Sequence, residues 1–340
     1  MKQRLVEYLT RALLKRRRNL GDRFLITTVS SVLPGRMRRL KDSINELLQG
    51  QRVSIVSSSD FDPDLYRQLQ WGDYWVKYEL TKALGEIGCI VTNVEPAIII
   101  HLFGYPAKLP KNAYRIVWIY GHPDMVNAKV LSQYDKIFCL SPSFINKINE
   151  MGFEAELMIG ATAKRPVQSE AKYDIVFVGN NRRLPYKRKI VQDVGETPYN
   201  FKVWGARWEN ILPKKYYGGE YIDNQRLDEL YASSLITLTD HHEDMSREGF
   251  VSVRVFDVLA SGGFCISDKN SGINAIFGDS VPQYESPEHL SQLIDLYINH
   301  PDERLKLMEK GREIALSHTW QKRAEQFLQG IDESKLRGKR

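Results

Sequence analysis

A chain of 340 residues with 42% hydrophobic and 26% charged residues has the composition of an ordinary globular protein and the length of about two domains. Its net charge of +6 is unevenly placed: residues 1–50 hold twelve Lys/Arg against four acids, a surplus of +8, and the rest carries −2. The basicity therefore belongs to an N-terminal extension, which argues against a nucleic-acid-binding role for the whole fold.

No apolar run approaches the roughly 20 residues of a membrane span, and the N-terminus lacks both the uninterrupted apolar stretch and the small-residue cleavage site of a signal peptide. Cys89, Cys139 and Cys265 are too far apart for a metal pattern and odd in number, which fits buried thiols in a reducing cytosol. Within residues 1–20, Leu5, Tyr8, Leu9, Ala12 and Leu13 recur at helical spacing beside "KRRR". Such a helix can lie on an anionic membrane surface or pack on the protein with its basic face solvated. A second helix is predicted over "RMRRLKDSINELLQ".

From Arg52 the pattern becomes alternating strands and helices. "RVSIVSS" predicts a strand, "DYWVKYELTKALGEIG" a helix, and "CIVTNV", "AIIIHLFG" and "YRIVWIYG" further strands. "KIFCLS", the helix "PSFINKINEMG" and "EAELMIG" follow. A polar break at "ATAKRPVQSEAK" precedes a second alternation: "YDIVFVGNN", the helix "PYKRKIVQDVG", "NFKVWGARW", the helix "NQRLDELYASS", "LITLTD", a helix within "SREGFVSVRVFDVLASGG", and "GFCISD". A short strand near Val281 to Tyr284 and three helices, "EHLSQLIDLYINH", "PDERLKLMEKGREIALS" and "TWQKRAEQFLQGI", close the chain. Strands alternating with helices imply parallel sheets covered on both faces. The expected fold class is α/β, two Rossmann-like doubly wound domains facing each other across a cleft, preceded by a basic helical extension. The expected divisions are residues 1–50, 51–165, 166–316 and a C-terminal helix over 317–340 that crosses back to the first domain. Ligands of such sheets bind at the carboxyl ends of the strands.

Several loops at those ends carry polar residues. Asp60, Asp62 and Asp64 alternate as in a calcium loop, but Leu65 and Trp71 occupy the positions where that loop needs Gly and Glu, so calcium is excluded. In "DHHED", adjacent His241 and His242 point in different directions and no other cluster offers partners at ligand spacing, so no metal is expected. "FVGNNRRLPYKRK" places Gly179, Arg182, Arg183, Lys187 and Arg188 after a strand; it is not a dinucleotide fingerprint, yet basic side chains beside a helix N-terminus suit a diphosphate. "VWIYGHPD" puts His122 and Asp124 after a strand, where a histidine can bind a hydroxyl or move a proton. Asp73, in "QWGDYW", is positioned to cap its helix and, by its place after the first strand, to face the cleft.

Taken together, "YDIVFVGNN", "VWGARW", "LYASSLITLTD", "VRVFDVLASGGFCISD" and "HPDERLKLMEKGREIALSHTWQKRAEQFL" resemble nucleotide-sugar glycosyltransferases of the GT-B fold, in particular the group resembling the spore-maturation protein CgeB. The resemblance covers about half the chain in collinear order. The first half looks like the matching acceptor domain. The resemblance implies sugar transfer from a nucleoside diphosphate donor in the interdomain cleft, with no metal and no further cofactor. In that family a Glu-x7-Glu motif holds the donor. Glu248 matches the first acid, which contacts the sugar, and Asp257 the second, which contacts the ribose, although it is Asp and lies nine residues on instead of eight. Arg254 matches an arginine that faces the diphosphate, and His122 resembles a histidine beside the donor sugar. The match at "EGF" favours retention of configuration; inversion would need a base such as Asp73, His122 or Asp124.

The expected activity is assembly of a surface polysaccharide or glycoconjugate on a glycan or lipid-linked acceptor. The protein would work in the cytoplasm, docked at the inner membrane face by its basic extension, with no role for nucleic acid. The alternatives are a glycosyltransferase acting on nucleic acid or protein, and a catalytically silent binding or scaffold subunit.

Overall fold

The computed structural model describes residues 50–62, 64, 70–182, 188–329 and 331–338. The helical extension expected over residues 1–50 lies, but for Gly50, outside them.

The first sheet contains β1 (Arg52–Val56), β2 (Ile90–Val91), β3 (Ile98–Phe103), β4 (Tyr114–Ile119), β5 (Lys136–Cys139) and β6 (Glu156–Leu157). Its order is β2-β1-β3-β4-β5-β6, and every neighbouring pair is parallel. The β-branched run of β3 is buried at all of its positions, as expected of an interior strand covered on both faces. His101 sits within it; its Nδ1 lies 2.6 Å from the Tyr134 hydroxyl, and burial pushes its pKa down to about 4. It is a neutral core residue. Helix α1 (Gly72–Glu86) buries Val76, Leu80, Ala83 and Leu84; the short α2 (Ala128–Leu131) and α3 (Pro142–Glu150) complete this domain's helices.

The second sheet contains β7 (Tyr173–Val178), β8 (Phe201–Trp204), β9 (Tyr217–Gly219), β10 (Ser234–Thr239), β11 (Cys265–Asp268) and β12 (Gln283–Tyr284). Its order is β12-β11-β10-β7-β8-β9, again wholly parallel. Its helices are α4 (Lys189–Asp193), α5 (Leu227–Ala232), α6 (Glu243–Arg247), α7 (Val253–Ala260), α8 (Ser271–Phe277), α9 (Pro287–Asn299) and α10 (Pro301–Leu316). The core gathers the strand residues Ile175, Phe177, Val203, Ile236 and Ile266 around Trp208. Sequence periodicity misses α2, α6, α8 and β9, because elements of three to seven residues span too few periods to register. The three cysteines are buried and form no disulfide.

After α10 the chain enters α11 (Trp320–Leu328) and α12 (Glu333–Arg337). Helix α11 packs on the first domain: Trp320 and Phe327 make edge contacts with Trp118 at 6.2 and 5.9 Å, and Phe327 meets Phe138 at 5.4 Å. Arg323 donates to the Gly160 carbonyl and Gln326 to that of Leu157. The returning segment runs beside the outgoing one, with Thr162 bridged to Thr319 and the Thr162 amide bonded to the His318 carbonyl at 3.1 Å. Phe327 is fully buried. Removing its ring leaves a cavity between α11 and the first sheet, so Phe327→Ala should lower unfolding free energy by about 3–5 kcal/mol in a denaturant titration.

Candidate functional site

In both sheets the strand order reverses once, between β1 and β3 in the first and between β7 and β10 in the second. Crevices open at such reversals, outside the carboxyl ends of the strands. The two crevices share one cavity of about 690 Å³, lined by Asp73, Gly104 and Tyr105 from the first domain and by Gly179, Asp240 and Arg254 from the second. That is ample volume for a nucleotide-sized ligand. A smaller cavity, about 500 Å³, lies around Lys269, Asn274 and Glu285 at the far edge of the second domain.

The floor on the second domain begins at Gly179. A Cβ there would lie 3.2 Å from the Phe177 ring and 3.3 Å from Arg188, and one at neighbouring Gly205 would lie 2.3 Å from the Gly179 carbonyl. Only glycine lets the two strand ends meet this closely. Arg182 and Arg188 both pair with Asp240, which is buried at the end of β10. Burial pushes the Arg188 pKa down to about 10 and lowers that of Arg182, and the neighbouring guanidinium groups, Arg254 among them, add to both effects. Three guanidinium groups are thus held together around one paired carboxylate, an arrangement suited to an anion. Arg183 and Lys187 lie outside the described residues.

Helix α7 explains its own mixed sequence. Val255, Phe256, Val258 and Leu259 are buried, whereas Arg254 and Asp257, three residues apart on one face, line the cavity. Ser252 caps the helix by accepting from the Arg254 amide. The Asp257 carboxyl accepts from the Thr162 hydroxyl at 2.6 Å, and desolvation pushes its pKa up to about 6 against the pull of Thr162 and Lys164. The start of α7 is fixed by His241. Its Nε2 accepts from the Ser252 amide at 3.0 Å, so its Nδ1 carries the proton and donates to Asp268 at 2.6 Å. Sequence reading missed this histidine's role, since neither partner is near it in the chain.

On the first domain's wall, Asp73 does not cap α1; the cap position is Trp71. Its carboxyl instead faces the hydroxyls of Tyr120 and Ser58. Both hydroxyl oxygens are buried without a hydrogen bond of ordinary geometry among the described residues. Desolvation raises the Asp73 pKa, and the two hydroxyls oppose it. His122 follows β4 with φ at +49°, a left-handed conformation uncommon outside glycine. Its ring lies 4.8 Å from that of His242, and its Nδ1 is 3.8 Å from the Asp244 carboxylate. His242 is kept neutral, its pKa pushed down to about 3 chiefly by burial and next by Arg182. For Asp244, desolvation is the largest single effect and would raise its pKa, but His122 and the Met245 amide outweigh it and hold the group ionised. The fold brings His122 to these residues from more than a hundred residues away.

Glu248, which the resemblance assigns to the donor sugar, sits at the junction between the two domains. It is buried and is not among the residues lining the cavity. Its carboxylate binds Lys147 of α3 at 2.7 Å and Arg247 at 2.9 Å, while its carbonyl accepts from the hydroxyls of Ser141 and Ser143. These contacts overcome desolvation and keep its pKa below the ordinary carboxylate range. Gly249 follows at φ +74°, where a Cβ would lie 3.0–3.3 Å from the Ser271, Ser143 and Ser141 hydroxyls. "EGF" is thus a junction between the domains, and its acid is committed to that junction.

Residues 182–329 match the family model described as "Glycosyl transferase-like". The fold is shared with sucrose-phosphate synthase from Thermosynechococcus elongatus, at 12% identity over 85% of this chain and 100% of that one, TM-score 0.61. It is shared too with AviGT4, a glycosyltransferase involved in avilamycin A biosynthesis, at 15% identity over 85% and 98%, TM-score 0.55. The DNA modifying enzyme β-glucosyltransferase, solved with and without uridine diphosphoglucose, matches at 10% identity over 84% and 99%, TM-score 0.55. No curated protein sequence matches. The chain has the GT-B fold, and its second domain matches the glycosyl transferase-like family model.

No described helix is long and apolar enough to cross a membrane. Asp257 gives its wall of the cavity a pH dependence. A carboxyl whose folded pKa is raised to about 6 stabilises the fold when protonated, and that contribution is lost as pH rises through 6. Between pH 4 and 7 the melting temperature should fall by an amount equivalent to about 2–3 kcal/mol. Asp257→Asn, which keeps an acceptor for Thr162, should flatten that part of the curve.

Proposed function

We propose that the protein transfers a glycosyl group from a nucleoside diphosphate sugar, bound in the cleft, to an acceptor hydroxyl presented by the first domain. The observation that carries this reading is the cluster of Arg182, Arg188 and Arg254 at the switch point of the second sheet, facing the Asp73 carboxyl across one cavity. The arginines and the capped start of α7 would take the diphosphate, Gly179 would let its oxygens approach the backbone, and Asp257 would receive the ribose hydroxyls.

Asp73 is the candidate base. Desolvation raises its proton affinity, which suits a carboxylate that must accept a proton from a hydroxyl. The acceptor oxygen, losing its proton to Asp73, would bond to the anomeric carbon as the bond from that carbon to the phosphate oxygen breaks. The electron pair leaves on the diphosphate, where the arginines neutralise it. Retention was favoured on the strength of Glu248. With that acid tied to Lys147 and Arg247, a single displacement with inversion fits the cleft better.

For the acceptor we propose a glycan or lipid-linked sugar in surface polysaccharide or glycoconjugate synthesis. Trp71, Trp75 and Tyr105 line the first domain's side of the cavity together with Asp73 and Glu79, and aromatic faces with acids suit a neutral sugar better than a polyanion. A nucleic-acid acceptor has one observation in its favour, the +8 surplus of residues 1–50. Salt-sensitive DNA binding by the full chain, with glucosylation of DNA in preference to glycans, would establish that second reading.

A panel of nucleoside diphosphates screened by thermal shift should give one clear stabilising ligand. Arg254→Ala should weaken it by about tenfold to a hundredfold, the value of one charged hydrogen bond. Asp73→Asn should leave that shift intact while sugar transfer falls by about 10²–10⁴; NMR of the product's anomeric proton then reads the configuration. If no nucleotide binds, the protein is a binding or scaffold subunit.

A further inference from the structure

We propose that Tyr120 and Ser58 are positioning residues for Asp73: two hydroxyl donors, fixed by separate elements, that hold its carboxyl in one direction and keep it ionised. The inference rests on the reading of Asp73 as the base and supplies what that reading needs, a reason for the carboxyl to keep its charge and its aim.

Asp73 lines the cavity and is half-buried, whereas the hydroxyl oxygens of Tyr120 and Ser58 beside it are fully buried. A buried hydroxyl without a partner is costly, and the Asp73 carboxylate is the acceptor that both of them face. Gly104, directly after β3, adds a second observation. A Cβ there would lie 2.5 Å from the Ser58 Oγ and 3.4 Å from the Asp73 Oδ2. The two oxygens border one small space, and a glycine leaves it open.

Both donors are mounted on rigid supports. The Tyr120 ring stacks on Trp118 at 5.2 Å, and Trp118 is fixed by its indole N–H, which donates to the Met158 carbonyl at 2.8 Å. Trp320 and Phe327 of α11 press on the same indole, so the packing that seats the returning helix also directs the phenol. Ser58 opens a short 3-10 turn over Ser58–Phe61. The Ser57 amide donates to the Asp60 carboxylate at 2.9 Å, and Lys77 pairs with Asp60 at 2.6 Å. Lys77 stands one turn beyond Asp73 on α1, so the serine loop is tied to the helix face that carries the base.

The surrounding charges are few. Burial is the largest influence on Asp73 and raises its proton affinity; Tyr120, then Ser58 and His122, lower it, and Asp60 opposes them. Burial, and next the nearby Asp73, hold the Tyr120 pKa well above the ordinary phenol range, so this hydroxyl stays protonated and donates. During transfer the proton of the acceptor hydroxyl passes to Asp73, while Tyr120 and Ser58 keep theirs. Their hydrogen bonds favour the ionised carboxyl that must be present before that step.

The test incorporates carboxyl-¹³C aspartate into the full-length protein and follows the Asp73 resonance, assigned as the one lost in Asp73→Asn, through a pH titration. Its midpoint should rise by about 0.5–1 pH in Tyr120→Phe and in Ser58→Ala, since each removes one hydrogen bond to the charged form. Melting curves check that the variants fold. Gly104→Ala, whose Cβ displaces the Ser58 hydroxyl, should act as Ser58→Ala does and stands in for it if needed. Wild-type midpoints in the Tyr120 and Ser58 variants overturn the inference. The acid limb of the transfer rate should move with the midpoint. A limb that stays in place while the midpoint moves, or transfer that survives Asp73→Asn, overturns the base reading and leaves the pairing of Asp73 with its two hydroxyls established.

Discussion

The cleft exists because the second domain presses a backbone turn into the first. At Gly249 the chain takes a positive φ of +74° that disfavours a side chain, and two serine hydroxyls of the first domain converge on the preceding carbonyl. Lys147 and Arg247 then satisfy the acid, which would otherwise be an unpaired buried charge costing several kcal/mol. Phe250 closes the junction against Phe144 at 5.4 Å. With the domains joined there, the carboxyl ends of both sheets look at one another, and loops that belong to separate crevices become the walls of a single cavity.

Those walls are chemically unlike. One holds guanidinium groups whose burial is tolerated through Asp240, the other a desolvated carboxyl among aromatic rings. A shared cavity with low-dielectric sides strengthens each charge's reach. The difference gives a substrate with one anionic end and one neutral end a single favourable orientation. His241 and Asp268 contribute without entering the reaction: a fixed tautomer holds the start of α7, and so the direction in which Arg254 projects.

Much of this was legible in the chain. Alternating apolar runs predicted both parallel sheets, since buried strands read as continuous β-branched stretches; "AIIIHLF" and "YDIVFV" were unambiguous. Arg254 and Asp257 stood out because charges in an apolar helix need a reason, and the cavity supplies it. Roles that depend on distant partners were not legible. Asp73 looked like a cap because capping is local, whereas its hydroxyl neighbours come from the loop after β1 and the end of β4. The pairing of Glu248 with Lys147 was not legible, because Lys147 reaches it from a hundred residues away. The contact of His242 with His122 was not legible because His122 sits on the other domain.

The pairing of Thr162 with Thr319 bears on how the cleft can move. A single linker would let one domain swivel in any direction about it. Two strands lying side by side behave as a door hung on two pins: bending about the line through both is easy, whereas twisting across it must stretch hydrogen bonds. The mouth where His122 meets His242 should therefore open and shut along one path. Because Thr162 also holds Asp257, the hinge line passes directly beside the second domain's wall of the cavity, the part that shifts least as the door swings.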